Sequence, residues 1–97
     1  MANLSVGFIQ AEGFVPIFDA IDAIGKATEA TVAGTARLGA GLVAAAITGD
    51  LATVEEAIEI GERAARKSSG RDVSTIVFAS PSEPVLAIAT NIKLLES

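Results

Sequence analysis

An apolar stretch over residues 31–49 is divided near its middle by the string Gly39-Ala40-Gly41 and also contains Arg37. A helix that crosses a bilayer needs about 20 consecutive, predominantly apolar residues, and neither the arginine nor the glycines suit one. Glycine is the residue that most readily adopts the positive φ angles of a tight turn. The stretch therefore predicts two short strands joined by a turn rather than a membrane span.

The two arms of this predicted hairpin are residues 31–38 and residues 42–48, which are rich in β-branched or apolar side chains. Three successive alanines, Ala44 to Ala46, favour helix by intrinsic propensity, so a helical second arm remains an alternative. We expect a strand because glycines flank a segment that is too short to form a stable helix.

The rest of the chain alternates between strand and helix patterns. Residues 14–27 have helical periodicity, and residues 50–68 run from acidic to basic, with Asp50 or Thr53 available as the N-cap. Prolines at 81 and 84 predict a turn over residues 80–84, because proline suits neither a strand ladder nor a helix interior. The other predicted elements are strands over 4–10 and 74–79 and a short C-terminal helix over about 84–95.

The predicted fold class is therefore α/β (α+β), a ferredoxin-like β-α-β-β-α-β sheet with helices on one face and a short C-terminal helix. We expect one domain over residues 1–97, with its core at about 4–81. An apolar content of 51% without a disulfide or a metal staple also predicts that the chain self-associates.

Composition excludes several functions. The chain has no Cys and no His, so thiolate or imidazole metal sites, cysteine nucleophiles and the Ser-His-Asp triad are all impossible. A net charge of -5 makes nucleic acid an improbable partner. The first residues resemble no secretory signal, so we expect a cytoplasmic protein. We predict no enzyme activity, no catalytic residue, no cofactor and no metal.

Two local patterns have ordinary structural explanations. Residues 39–44 match the G-x-G-x-x-A string of dinucleotide folds, but the segment after the glycines is predicted as strand, and no suitably placed acid follows. Asp22 and Lys26 form an i, i+4 pair, which commonly lies on an exposed helix face.

Three separated strings, residues 13–26, 37–43 and 48–50, resemble in order and spacing the shell domain of bacterial microcompartments, found in carboxysome and metabolosome hexamers. The resemblance runs over about residues 4–81. It implies a structural shell subunit, part of a protein wall in the cytoplasm, that forms cyclic hexamers and tiles into a sheet. The implied partners are other copies in a homohexamer, other shell proteins, encapsulated enzymes or their targeting peptides, and small polar metabolites that cross a central pore.

The resemblance also implies roles for individual residues. Leu38, Gly39, Ala40 and Gly41 match the loop that lines the pore. Lys26 matches the lysine at the hexamer edge, and Asp22 is placed to orient it.

The chain departs from the family pattern at two of these positions. Ala40 stands where serine is frequent, which predicts a less polar pore, and Ser80 stands where many relatives have an edge arginine, which predicts altered lateral contacts.

Two other functions stay open from the residues alone. One is a ferredoxin-like, oligomeric regulator that binds a small ligand, and the other is a small carboxylate-dependent enzyme, which the lack of His and Cys disfavours. Residues 85–97 are expected either to dock on the domain or to contact cargo as an amphipathic surface.

Overall fold

Strands and helices alternate in the order β-α-β-β-α-β, and a helical C-terminal segment follows. The computed structural model describes residues 4–96. Its elements are β1 (Ser5–Glu12), α1 (Phe14–Ala27), β2 (Thr31–Gly39), β3 (Leu42–Gly49), α2 (Leu51–Ser68), β4 (Ser74–Phe78), α3 (Glu83–Thr90) and a 3₁₀ turn, Ile92–Leu95. The strands form one antiparallel sheet in the order β2-β3-β1-β4. This arrangement confirms the predicted ferredoxin-like fold class.

The two long helices begin where their sequences predict. α1 covers residues 14–27 as its periodicity indicates, and it follows Gly13, whose φ of 89° turns the chain out of β1. Of the two predicted N-caps of α2, the structure uses Asp50, whose carboxylate accepts a 2.9 Å hydrogen bond from the Thr53 main-chain N–H. That bond, together with the Thr53 side chain, lowers the pKa of Asp50.

The main core lies between one face of the sheet and the helices α1 and α2. Alternate residues of β1 and β3 point into it, because successive strand side chains face opposite sides. The strand and helix residues that form this core are Ile9, Ala11, Val43, Ala45, Ile47, Ile17, Ala20, Ile24, Val54, Ala57 and Ile58. The hydrophobic pattern of the sequence therefore places both long helices on one face of the sheet, as predicted.

A second, smaller cluster lies on the other face of the sheet and involves the C-terminal segment. The strand residues Val6, Ala44 and Ala46 pack there with Ala89 of α3 and Ile92 of the 3₁₀ turn. The C-terminal segment therefore docks on the domain, which is the first of the two placements that its sequence allows.

The C-terminal segment differs in detail from its predicted form. Pro84 was expected in a turn, and that prediction is wrong, because α3 begins at Glu83 and holds Pro84 in its first turn. Proline is tolerated at such a position, where its missing N–H has no partner within the helix. The predicted single helix is broken at Asn91, whose φ of -141° and ψ of 70° are not helical.

No helix in the part of the chain from residue 4 to residue 96 combines the length and the apolar character needed to cross a membrane.

The close packing of α2 against Gly7 of β1 predicts a stability effect at this glycine. A Cβ atom at this position would lie 2.5 Å from Ile58 Cγ1 and 3.0 Å from Val54 Cγ1, so Gly7→Ala forces α2 away from β1. We expect it to lower the free energy of unfolding by about 1–3 kcal/mol, as overpacking of a core usually does. Urea denaturation followed by circular dichroism measures the change.

The matched control is Gly25→Ala on the exposed side of α1, where a Cβ atom meets nothing within 4 Å. Alanine is the better helix former, so this variant should gain up to roughly 1 kcal/mol. Equal stability of the two variants would contradict the packing explanation.

Candidate functional site

The turn between β2 and β3 has an unusual backbone. Three successive residues have positive φ angles, namely 89° at Gly39, 55° at Ala40 and 82° at Gly41. Positive φ at both central residues, here Ala40 and Gly41, is what a type I′ hairpin turn requires. Ala40 is the only non-glycine residue with a positive φ among the residues that the structure describes. The sequence thus forms a narrow tip with a single methyl side chain at its apex. We call residues 38–41 the hairpin turn.

The hairpin turn is attached to the start of α1. The Gly13 main-chain N–H donates a 2.8 Å hydrogen bond to the Gly41 carbonyl oxygen. The register places Glu12 opposite Leu42, so the end of β1 and the start of β3 lie side by side there. This bond directs the Gly41 carbonyl toward α1 and makes the Gly13 amide a direct reporter of the position of the turn.

The predicted edge residues on α1 form the ion pair that their spacing indicates. Lys26 Nζ lies 3.0 Å from Asp22 Oδ2, and the two side chains are 75% and 67% exposed. A pair this exposed contributes little to stability, because water screens it. Lys26 is therefore held loosely and remains available to a neighbouring molecule.

The third predicted edge residue, Ser80, is exposed directly beyond β4. This end of β4 is fixed by the Ser5 hydroxyl, which donates a 2.8 Å hydrogen bond to the Ala79 carbonyl oxygen. Ser80 follows one outer strand of the sheet, whereas Lys26 precedes the other outer strand, β2. Asp22 and Lys26 are thus brought together, and Ser80 belongs to a different part of the edge.

The strand register separates the hairpin turn from the edge residues. Ser5 pairs with Gly49 and Thr31 pairs with Thr48, so the starts of β1 and β2 and the end of β3 lie together at one end of the sheet. Lys26 comes shortly before the start of β2 and Ser80 shortly after the end of β4, so both lie near that end of the sheet. The hairpin turn lies at the opposite end. The length of the sheet therefore separates the two groups of predicted site residues.

A contact that was not predicted joins the C-terminal segment to the strand that leads into the hairpin turn. We call residues 92–96 the C-terminal strap. The Glu96 carboxylate accepts a 2.7 Å hydrogen bond from the Arg37 main-chain N–H and a 2.8 Å bond from Arg37 Nε. Lys93 Nζ lies 3.8 Å from the same carboxylate. Arg37 and Glu96 are 59 positions apart, and no periodicity or motif in the sequence links them.

The surroundings of Glu96 stabilise its charged form. The hydrogen bond from the Arg37 side chain, and then the bond from the Arg37 main chain, lower the pKa of Glu96, and the charge of Lys93 acts in the same direction. A lowered pKa in the folded chain means that the contact adds stability near neutral pH. This stability is lost as the pH falls through the lowered value.

The sheet face beside α3 contains an apolar cavity of about 410 Å³. Its lining residues are Phe8, Gln10, Leu38, Ala44, Ser74, Thr75, Ile76, Phe78, Val85, Ile88 and Leu95. Among residues 4–96 no group of three or more Asp or Glu side chains is arranged to hold a metal ion.

The hairpin turn generates a test of its backbone geometry. Gly41→Ala places a Cβ atom 3.7 Å from Glu12 Cγ, an ordinary contact, so the substitution changes only the cost of the φ of 82°. We expect a loss of about 1–2 kcal/mol in the free energy of unfolding, the usual cost of a left-handed non-glycine residue. Urea denaturation measures this change in the free energy of unfolding. An unchanged unfolding midpoint would contradict the left-handed backbone conformation at Gly41.

Comparisons with known proteins identify a family and relatives of this chain. Residues 5–81 match the family model of the BMC domain. The carboxysome shell protein CcmK2 of Synechocystis sp. is 33% identical over 82 residues, which cover 84% of this chain and 80% of that protein. The carboxysome shell protein CsoS1C of Hydrogenovibrio crunogenus is 30% identical over 92 residues, which cover 92% of this chain and 90% of the relative.

A solved structure shares the fold. A microcompartment protein from Desulfitobacterium hafniense DCB superposes with a TM-score of 0.75 at 21% sequence identity. The match covers 92% of this chain and 48% of the solved chain. This chain therefore spans about half the length of the solved chain.

Proposed function

The chain belongs to the BMC-domain family and is a shell protein of a bacterial microcompartment rather than an enzyme, and from that premise we propose that it forms cyclic hexamers. The hexamers tile into a sheet and conduct small polar metabolites through a central pore lined by Leu38, Gly39, Ala40 and Gly41. The observation that supports this most is the placement of the hairpin turn at one end of the sheet and of Lys26 at the other.

That placement is what a ring with a central pore requires. A subunit of a cyclic oligomer has one end near the rotation axis and another at the periphery. Six narrow tips with small side chains can converge on an axis without steric conflict, because Gly39, Ala40 and Gly41 add at most one methyl group each. The opposite end of the sheet then presents Lys26 and Ser80 to neighbouring rings.

The surface of the single chain supports self-association. Three large apolar side chains in the first half of α1 are substantially exposed, Phe14 at 40%, Val15 at 63% and Phe18 at 55%. The rings of Phe14 and Phe18 lie 5.4 Å apart, so they form one continuous patch. An apolar patch of this kind is typical of a surface that a partner covers, and a head-to-tail contact between identical copies covers it six times in one ring.

Passage through the pore follows from size and backbone polarity. Ala40 has no hydroxyl, so the polar lining comes from main-chain groups. The Gly41 carbonyl is occupied by Gly13 and Gly39 is paired with Leu42, so the main-chain groups at the apex residue Ala40 are the ones placed to contact a solute. Selection of small polar metabolites then depends on pore diameter and on these dipoles, without covalent chemistry.

The remaining partners follow from the same role. The sheet of hexamers incorporates other shell proteins, encloses enzymes in the cytoplasm and contacts those enzymes or their targeting peptides. Ser80 is too short for the bidentate contacts that an arginine makes, so the lateral contacts depend mainly on Lys26.

The ring is tested by its mass. Six copies of 9.8 kDa give a particle of about 59 kDa. Light scattering coupled to size-exclusion chromatography should detect it as the main species. A stable 9.8 kDa monomer at micromolar concentration would contradict the hexamer and the pore with it.

The edge role of Lys26 is tested separately. Lys26→Ala should leave the 59 kDa ring intact, because the side chain is 75% exposed and its one ion pair within residues 4–96 is with Asp22. It should lower the area of ordered sheets in electron micrographs several-fold.

The matched control for Lys26 is Arg63→Ala. Arg63 also forms an exposed i, i+4 pair, 3.0 Å from Glu59, but it lies on α2. Sheets should form normally in this variant. Equal sheet formation by both variants and the parent chain would remove Lys26 from the lateral contact.

A further inference from the structure

The C-terminal strap lies along β2, the strand that ends in the hairpin turn. Its first contact is at Gly34, where a Cβ atom would lie 3.1 Å from Ile92 Cγ2. That distance is shorter than an ordinary van der Waals contact, so glycine is what allows the strap to approach the strand this closely. Ile92 itself is only 2% exposed, and it packs with Ala36 of the same strand.

Its last contact is at Arg37, the residue directly before the hairpin turn. β2 is an outer strand of the sheet, so one of its edges has no neighbouring strand to satisfy its main-chain groups. The Glu96 carboxylate takes that place at Arg37, at 2.7 Å from the main-chain nitrogen. A carboxylate acceptor makes this a charge-assisted bond, which is stronger than a neutral one.

The strap also contacts the hairpin turn through apolar side chains. Leu38, the first residue of the turn, lines the same cavity as Leu95 of the strap and packs against the cluster that contains Ile92. The regular pairing of β2 with β3 shifts between Arg37 and Gly39, so the strand ladder alone does not fix the position of Leu38. The strap holds Arg37 directly before that irregularity, and its cluster packs against Leu38 within it.

We propose that the C-terminal strap positions the hairpin turn, with Glu96 as the positioning residue. This inference rests on the proposed function, since it makes the geometry of the pore depend on a segment that lies outside the residues lining it. Release of Glu96 frees the Arg37 amide and side chain, and the hairpin turn then moves relative to α1.

The test uses the main-chain amide of Gly13, which donates to the Gly41 carbonyl oxygen at 2.8 Å. Gly13 belongs to neither the strap nor β2, so its hydrogen exchange reports the position of the turn and not the direct loss of a bond to Glu96. The Arg37 amide is left out of the comparison because it loses its own acceptor in the variant.

Glu96→Gln is the variant, because it keeps the size of the side chain and removes its charge. We expect the exchange rate of the Gly13 amide to rise by about tenfold, measured by NMR on the full chain under conditions of fast local opening. The matched control is Glu59→Gln, which also neutralises a glutamate paired with an arginine at 3.0 Å, but on α2. It should leave the Gly13 rate unchanged.

A Gly13 rate that stays within about twofold of the parent chain in Glu96→Gln, or that rises equally in the control, overturns the proposal. Both variants and the parent are compared in the same oligomeric state, established by light scattering. Absence of the 59 kDa ring therefore contradicts the proposed pore alone, whereas the exchange rates decide whether the strap positions the turn.

Discussion

The uninterrupted pairing of β1 with β3 is the constraint on which the rest of the structure depends. It runs from Ser5 opposite Gly49 to Glu12 opposite Leu42, without a shift in register. Since strand side chains alternate, this register sends Ile9 toward the helices and Phe8 toward the C-terminal segment. A slip by one residue would turn the core-facing side chains of one strand to the opposite face of the sheet. The same register brings the hairpin turn beside the start of α1, where Gly13 binds it.

Glycines allow close packing on both faces of the sheet. Gly7 admits Ile58 of α2 on the helical face, and Gly34 admits Ile92 of the strap on the other. With three alanines in β3 as well, the layers approach until the molecule measures only 17 Å in its shortest dimension. Close contact of small side chains replaces the large aromatic core that this composition lacks.

Sequence patterns predicted the elements whose signals are local. α1 was located over residues 14–27 by its apolar spacing, and the hairpin turn by three adjacent residues of which two are glycines. The Asp22–Lys26 contact followed from a single helical turn. The bond between Arg37 and Glu96 joins distant segments, and it exists only because α3 folds back over the sheet, so no local pattern contains it. Pro84 was misplaced because proline permits both a turn and the first turn of a helix.

The hydrogen bond from the Arg37 main chain to Glu96 also affects how readily the chain aggregates at high local concentration. An outer strand with free main-chain groups is a template on which another chain can add a strand and start a fibre. The carboxylate occupies that template at Arg37, register shifts interrupt it at two places along β2, and the other outer strand is only five residues long. Within residues 4–96 the sheet thus exposes little edge on which cross-β aggregates could nucleate.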